Sequence, residues 1–345
     1  MNLGQFYRRC IEAGVQADPR GKAGIDRCLK AERKRYESLE GFEKDSYDPA
    51  RLTNPYTDVR ILHGDDKTSL KSLMIGIDAF QPELLIADRL KAGGRRVDAV
   101  LTHHPAGFGI KRLPEVIDIQ TEQWISFGVP AHIAQGLNDE RLEEVVRRFH
   151  VMNTDAAVDA ARLLDIPYMC SHTAADNWAY HYLQGRIDKA SPSAVSEVVE
   201  LLQEEPEYRH QARLQAPPML AAGKNTARCG KVFVEMTGGV MPKEQALDEL
   251  SRSGISTLVV MHMTEEAIVA AKKAKLNIVI AGHMASDTMG MNLMLDRALP
   301  PGDEVEILEC AGFKRFDRRK ARAGAFLRGS ARGGRPRRAV RARRK

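Results

Sequence analysis

The sequence lacks the residue patterns that mark disulfide-rich, thiolate-metal and membrane-spanning proteins. Its five cysteines are scattered and include no Cys-x-x-Cys pair, which argues against a disulfide framework and against a cysteine-ligated zinc site. No stretch approaches the roughly 18 uninterrupted apolar residues that a membrane span requires, and the opening residues lack the apolar segment of a signal peptide. We therefore expect a cytoplasmic protein with reduced thiols.

Common motifs of nucleotide binding and nucleophilic hydrolysis are missing as well. The segments TGGV and GSARGG contain glycine but lack the strand, turn and helix context of a phosphate-binding loop. No Gly-x-Ser-x-Gly elbow is present. Cys170 lies two residues before His172, yet a buried strand residue explains it better than a nucleophile does.

Positive charge is concentrated at one end of the chain. The 345 residues carry a formal charge of +6, but residues 314–345 hold 15 Lys and Arg against one acid, whereas residues 1–313 hold 37 against 45. Because the basic segment is rich in Arg, Gly and Ala and has little to bury, we expect it to be disordered and dispensable for folding. It could bind nucleic acid by neutralising phosphates, or it could be an appended end without a role.

Alternating strand and helix patterns predict the fold class. Apolar strand-like runs are separated by helical segments, which is the βαβ rhythm of mostly parallel sheets. The runs fall in two sets, at residues 72–78, 97–104 and 166–172, and at residues 231–238, 255–263, 277–283 and 303–310. We therefore predict an α/β protein with two lobes, and no internal sequence repeat is convincing.

The predicted organisation has four parts. They are an N-terminal helical extension (1–55), a first α/β lobe (56–185), a helical bridge with a second α/β lobe (186–313) and a disordered basic tail (314–345).

Histidines and aspartates follow the ends of three predicted strands. His103 and His104 end the run VDAVLTHH, and two later strands each lead into a histidine with an aspartate four residues on. Such spacing puts both side chains on one face of a helical turn, and the carboxyl ends of parallel strands line one crevice. Imidazole and carboxylate groups suit Zn, Mn or Fe, and a pair of ions would explain adjacent histidines. The two later pairs are His172 with Asp176 and His283 with Asp287.

Each of these features has a simpler explanation when it is taken alone. A histidine at a strand end is commonly an N-cap partner, a core side chain bonded to a carbonyl, or a solvated residue. His262 and Glu266 repeat the same four-residue spacing. Asp78, which also ends a strand, and Asp155, which is placed to cap a helix, compete as carboxylate donors.

The ordered set AVLTHHP, SHTAADN and NIVIAGHMASD resembles the Nif-three-like (NGG-one-interacting-factor-three-like) family of dinuclear metal proteins, also labelled GTP cyclohydrolase I type 2 homologues. The resemblance covers roughly residues 56–312 and implies two α/β lobes with two divalent metal ions in the crevice between them, commonly in a hexameric ring. Asp287 departs from the family pattern, since most members have Glu there. The ligands that the resemblance implies are His103, His104, Asp176, His283 and Asp287.

The leading functional hypothesis is a metal-dependent hydrolase. A metal-activated water would attack a phosphoester, a nucleotide or a cyclic amide, with His172 as an orienting group or proton shuttle. The alternatives are a metal-binding regulatory or scaffold protein without turnover, and a nucleic-acid-associated protein that uses its tail. The expected partners are further copies of the chain, an unidentified small substrate and, through the tail only, nucleic acid; no membrane contact is expected.

Overall fold

The computed structural model describes residues 1–319, which form two β-sheets surrounded by helices. The strands are β1 (Val59–His63), β2 (Ser72–Gly76), β3 (Ala99–Thr102), β4 (Tyr168–Ser171), β5 (Met219–Ala222), β6 (Lys231–Glu235), β7 (Ile255–Val260), β8 (Asn277–Ile280) and β9 (Glu306–Glu309). The α-helices are α1 (Leu3–Ala17), α2 (Gly21–Ser38), α3 (Gly41–Asp45), α4 (Gln81–Ala92), α5 (Phe108–Lys111), α6 (Asp118–Ser126), α7 (Ala131–His150), α8 (Ala156–Leu163), α9 (Thr173–Ala190), α10 (Val195–Gln203), α11 (Pro206–Arg213), α12 (Glu244–Arg252), α13 (Glu265–Lys273) and α14 (His283–Ala298). Two short 3-10 helices cover Pro49–Leu52 and Leu113–Val116.

The two sheets confirm the predicted α/β class with mostly parallel strands. The first sheet has the order β1-β4-β3-β2-β9, and the second has the order β5-β8-β7-β6. Only β1 and β5 run antiparallel to their neighbours in the described sheets. The strands β2, β3 and β4 are fully buried, which is why the sequence shows them as continuous apolar runs.

The two lobes repeat one topology, although the sequence shows no convincing repeat. Each has an antiparallel edge strand followed, across the sheet, by three parallel strands in reverse chain order. The run at 303–310, which the sequence groups with the second set, instead forms β9 beside β2 in the first sheet. The free edge of β2 accepts it because the chain crosses back after α14. Helices α9 and α14 therefore follow equivalent strands of the two lobes.

Helix α1 is part of the main core, although the sequence assigns it to an extension. Leu3, Phe6 and Cys10 are fully buried on one face of the helix, in the same apolar cluster as residues of β2 and α9. The indole Nε1 of Trp178 donates a hydrogen bond of 2.8 Å to the carbonyl of Ala13. The packing of α1 thus supports α9.

The first residues of the predicted basic tail pack against the body. Arg318 forms two hydrogen bonds with the buried Glu207, at 2.6 and 2.7 Å, and Arg315 pairs with Asp296 on α14. Ion pairs of this kind order residues 314–319, and the remainder of the predicted tail, residues 320–345, lies outside the described residues. Within the described part of the chain, no helix is both long and apolar enough to cross a membrane.

Candidate metal centre

His103 and His104 follow the end of β3, and their backbone N–H groups donate to the carbonyls of Gly76 and Ile77, each at 3.0 Å. The ring Nδ1 of His103 donates to the Ser171 carbonyl at 3.3 Å. The Nδ1 of His104 lies 2.7 Å from the Asp78 carboxylate, its acceptor. With each Nδ1 held by an acceptor, the Nε2 atoms of both histidines are left to face the interior of the site.

The first turn of α9 brings the second motif to the same place. His172 is the N-cap residue, and Asp176 lies one turn later with its Oδ2 3.5 Å from the His172 Nε2. The Oδ1 of Asp176 lies 3.4 Å from the Nε2 of His103. The spacing of four residues on a helix accounts for this convergence.

The N-terminal end of α14, which begins at His283, supplies the third motif from the other lobe. The Oδ2 of Asp287 lies 3.2 Å from the Nε2 of His283 and 3.3 Å from that of His104. Its Oδ1 lies 3.7 Å from the Nε2 of His103. The structure therefore brings all five sequence-predicted ligands together, at the junction of the two lobes.

The unsatisfied atoms of this cluster fit a bound cation. Four buried atoms have no hydrogen-bond partner among the described residues: the Nε2 of His103, the Oδ1 of Asp176 and both carboxylate oxygens of Asp287. Leaving buried charged acceptors unpaired costs free energy, which a coordinated cation would recover. Ligand atoms that lie within 4.8 Å of one another form three groups, so the buried His and Asp side chains could bind metal ions. The groups are His103, His104 and His172; His104, His283 and Asp287; and His103, Asp176 and Asp287.

The pKa shifts in the cluster also favour a bound cation. Burial lowers the pKa of His103 to about 3, so this imidazole is neutral and able to ligate. Burial opposes charge on His104 too, but the neighbouring carboxylates of Asp287 and Asp78 raise its pKa to about 10. Burial raises the pKa of Asp176 to about 6. The carboxylates that hold a proton on His104 create a negative potential that favours a cation.

Asp58 is a site residue that the sequence does not reveal. Its Oδ2 accepts hydrogen bonds from the Nδ1 of His172 at 2.9 Å, and from the backbone N–H and the hydroxyl of Thr173 at 3.1 and 2.6 Å. These contacts fix the His172 ring so that its Nε2 faces Asp176. The only sequence signal is an aspartate just before the short strand β1, which is too weak to single it out.

A cavity of about 270 Å³ adjoins the cluster. Its lining includes Asp176 and Asp287, one face of α7, and the chain that follows β6. Glu235, which the sequence analysis also missed, lines it and is 5% exposed. The Glu235 carboxylate accepts hydrogen bonds from the indole Nε1 of Trp124 at 3.1 Å and the amide of Gln120 at 3.0 Å. Burial outweighs these two contacts and raises the pKa of Glu235 to about 8.

The other residues that the sequence offered as candidates lie outside the three ligand groups. Asp155 precedes α8 as its N-cap, but its carboxylate accepts from Lys111 at 2.6 Å and is in none of the ligand groups. His262 lines the cavity with its ring 4.8 Å from that of His283, also outside those groups. Cys170 is fully buried, and burial raises its pKa to about 12, which agrees with a strand-filling role.

The fold and the site define a two-lobed α/β protein with a buried His and Asp cluster, at the lobe junction, that could hold metal ions. Searches with the sequence against protein-family models and curated proteins gave no match. A solved structure of a NIF3 superfamily protein from Sphaerobacter thermophilus is similar, with 25% identity and a TM-score of 0.66, over 76% of this chain and 94% of that one. The similarity confirms the resemblance to NIF3 superfamily proteins that the three motifs predicted.

Two further solved structures are similar, with lower sequence identity and lower TM-scores. Reduced HcgD from Methanocaldococcus jannaschii has 15% identity and a TM-score of 0.44, over 81% of this chain and 96% of that one. A Bacillus cereus protein related to NIF3 has 11% identity and a TM-score of 0.40, over the same shares of the two chains.

Proposed function

We propose that this protein is a metal-dependent hydrolase that binds two divalent metal ions, with Zn, Mn or Fe as the candidate metals. The observation that carries the proposal is the arrangement around Asp287, which belongs to two of the three ligand groups. Its Oδ1 faces His103, and its Oδ2 faces His104 and His283. One carboxylate shared in this way supports a pair of neighbouring ions rather than one.

The proposed ligands divide between the two ions. His103 with Asp176 would serve one ion, His104 with His283 the other, and Asp287 both. When bound, two such ions supply Lewis acidity for the hydrolysis of a phosphoester, nucleotide or cyclic amide bond. A ligand set of imidazole nitrogens and carboxylate oxygens, without cysteine, suits Zn, Mn or Fe.

His172 is the proposed proton-transfer residue. Its Nδ1 donates to Asp58, which leaves Nε2 as the atom that accepts or releases a proton toward the cavity. Asp58 is a positioning residue, because it holds the imidazole in one orientation without lining the cavity. Replacing His172 with Gln should therefore reduce turnover by about 100-fold while the bound metal stays near the wild-type level.

The test is metal analysis of the purified full-length chain combined with a turnover screen. The chain is treated with a chelator, reloaded with Zn, Mn or Fe in turn, and assayed against phosphoesters, nucleotides and cyclic amides. Two ions per chain with metal-dependent turnover support the proposal. Two ions without turnover favour a regulatory or scaffold role, and a chain that binds no metal contradicts both.

A further inference from the structure

One face of helix α7 forms a wall of the cavity. Four of its residues line the cavity at positions i, i+4, i+7 and i+8, which is the spacing of a single helical face. They are Arg141, Val145, Arg148 and Phe149. Two cations thus share a face with two apolar residues. Arg141 and Arg148 lie roughly 10 Å apart along the helix axis at 1.5 Å per residue.

The positive charge of this wall is not neutralised locally. Arg148 is exposed and forms no ion pair within the described part of the chain. Arg141 donates to Glu144 at 3.0 Å, but the same carboxylate also binds Lys243 at 2.9 Å. The Nε of Arg141 is buried without a hydrogen-bond partner among the described residues. The Glu144 carboxylate therefore pairs with both Arg141 and Lys243, and Arg148 has no carboxylate partner among the described residues.

The rest of the cavity suits a small molecule that reaches from this wall to the metal centre. Its volume is about 270 Å³, close to the lower end of ordinary ligand pockets. Apolar groups, including Met236, Val240 and Pro242, form part of the lining. Because burial raises the pKa of Glu235 to about 8, this carboxyl group adds little negative charge at neutral pH.

We infer that the substrate is a small molecule with an anionic phosphate or carboxylate group, which Arg148 and Arg141 hold while the bond to be cleaved faces the metal centre. The guanidinium groups recognise the oxyanion through paired N–H donors. The apolar part of the substrate contacts the lining between the two ends. The position of the cleaved bond rests on the proposed hydrolase function, whereas recognition of the anion does not.

The test measures binding by calorimetry to the full-length chain, both metal-loaded and chelator-treated. The probes are phenyl phosphate, benzoate and neutral benzyl alcohol, which share an aromatic ring and differ in charge. Arg148→Gln should weaken binding of the preferred anion by about tenfold, because a charged hydrogen bond is lost. Arg147→Gln is the matched control, since Arg147 is the preceding residue of α7, pairs with Glu143 and does not line the cavity.

The outcomes separate this inference from the proposed function. The anion that binds more tightly, phenyl phosphate or benzoate, identifies the preferred anionic group. Either result supports the inference if the anion binds more tightly than benzyl alcohol and its binding depends on Arg148. Equal affinity in the Arg148 and Arg147 variants, or equal binding of benzyl alcohol, overturns it. Arg148-dependent binding by a chain that takes up no metal keeps the inference and rejects the hydrolase, whereas metal-dependent turnover without Arg148 dependence does the reverse.

Discussion

His103 and His104 are adjacent in sequence but have different partners and exposures. His103 is buried and faces Asp176 and one oxygen of Asp287, whereas His104 is partly exposed, is held by Asp78 and faces the other oxygen. In a regular strand two neighbours point to opposite faces. Because β3 has ended at Thr102, both rings instead reach one cluster from different directions.

The sharing of Asp287 predicts unequal losses of metal. Asp287→Asn should weaken binding of both ions, whereas His104→Ala or Asp176→Asn should mainly remove one of about two ions per chain. Metal per chain, measured by mass spectrometry after dialysis, checks this, with circular dichroism to confirm folding. His262→Ala is the control and should keep the wild-type content. Loss of metal from that variant alone would show that the ligand assignment is misplaced.

Glu235 predicts a pH dependence of stability. Its pKa is raised to about 8 in the folded protein, against about 4.3 in an unfolded chain. Its contribution to stability is therefore complete below pH 4.3 and is lost as the pH rises through 8. Thermal unfolding of the metal-free chain should show the wild type losing stability relative to Glu235→Gln between pH 5 and pH 8. A constant difference between the two proteins over that range would contradict the prediction.

Helices α9 and α14 determine the geometry of the site at the next scale. Each follows a parallel strand of its own lobe and presents a buried Asp near its N-terminus, Asp176 in the first turn of α9 and Asp287 just after the first turn of α14. The helices pack directly against each other. The distance between Asp176 and Asp287 therefore depends on how closely the two helices approach.

Gly290 permits that approach. A Cβ at this position would lie 2.5 Å from the carbonyl oxygen of Ala175, the residue before Asp176. Gly290→Ala should therefore push α14 from α9, destabilise the chain by about 1–3 kcal/mol and weaken metal binding. Urea denaturation and metal titration measure the two effects.

Gly185→Ala is the matched control for Gly290→Ala. Gly185 lies on α9, where a Cβ meets nothing within 4 Å. Its replacement should stabilise the chain by about 0.5–1 kcal/mol, since alanine favours the helix. If both variants unfold at the same urea concentration, close helix packing is not the reason for glycine at 290.

At the scale of the whole molecule, the contacts of residues 314–319 revise the expectation that the basic segment is dispensable. A chain ending at residue 319 keeps the ion pair between Arg318 and Glu207, whereas one ending at 313 leaves that buried carboxylate with the amide of Asn292 as a donor but without its ion-pair partner. The shorter chain should lose about 3–5 kcal/mol of stability, measured by denaturation. The longer one should match the full chain and lose only salt-sensitive binding to DNA or RNA. Equal stability of both truncations would contradict this account.

The oligomeric state is the second prediction at this scale. We propose that the chain forms a closed homo-oligomer, with a hexamer as the size implied by the family resemblance and closed symmetry favoured on general grounds. Light scattering at micromolar concentration should give a mass several times 38.4 kDa. A monomer under these conditions would reject the proposal.

The sequence by itself determined the α/β class, the buried parallel strands and the candidate ligands. These features are local, because apolar runs, strand ends and a four-residue spacing can be read along the chain. The edge strands β1 and β5 were missed and β9 was misplaced, since short and partly exposed edges carry weak apolar patterns.

Only the tertiary structure decided which groups meet. Several features join residues that are distant in sequence. They are the topology shared by the two lobes, the hydrogen bond between Asp58 and His172, the burial of Glu235, and the cationic face of α7 that lines the cavity. Their contacts depend on how the two sheets and the helices between them pack, and no local pattern encodes that packing. The same packing brings Asp176 and Asp287, 111 positions apart in the chain, to the one cluster where a metal ion could bind both.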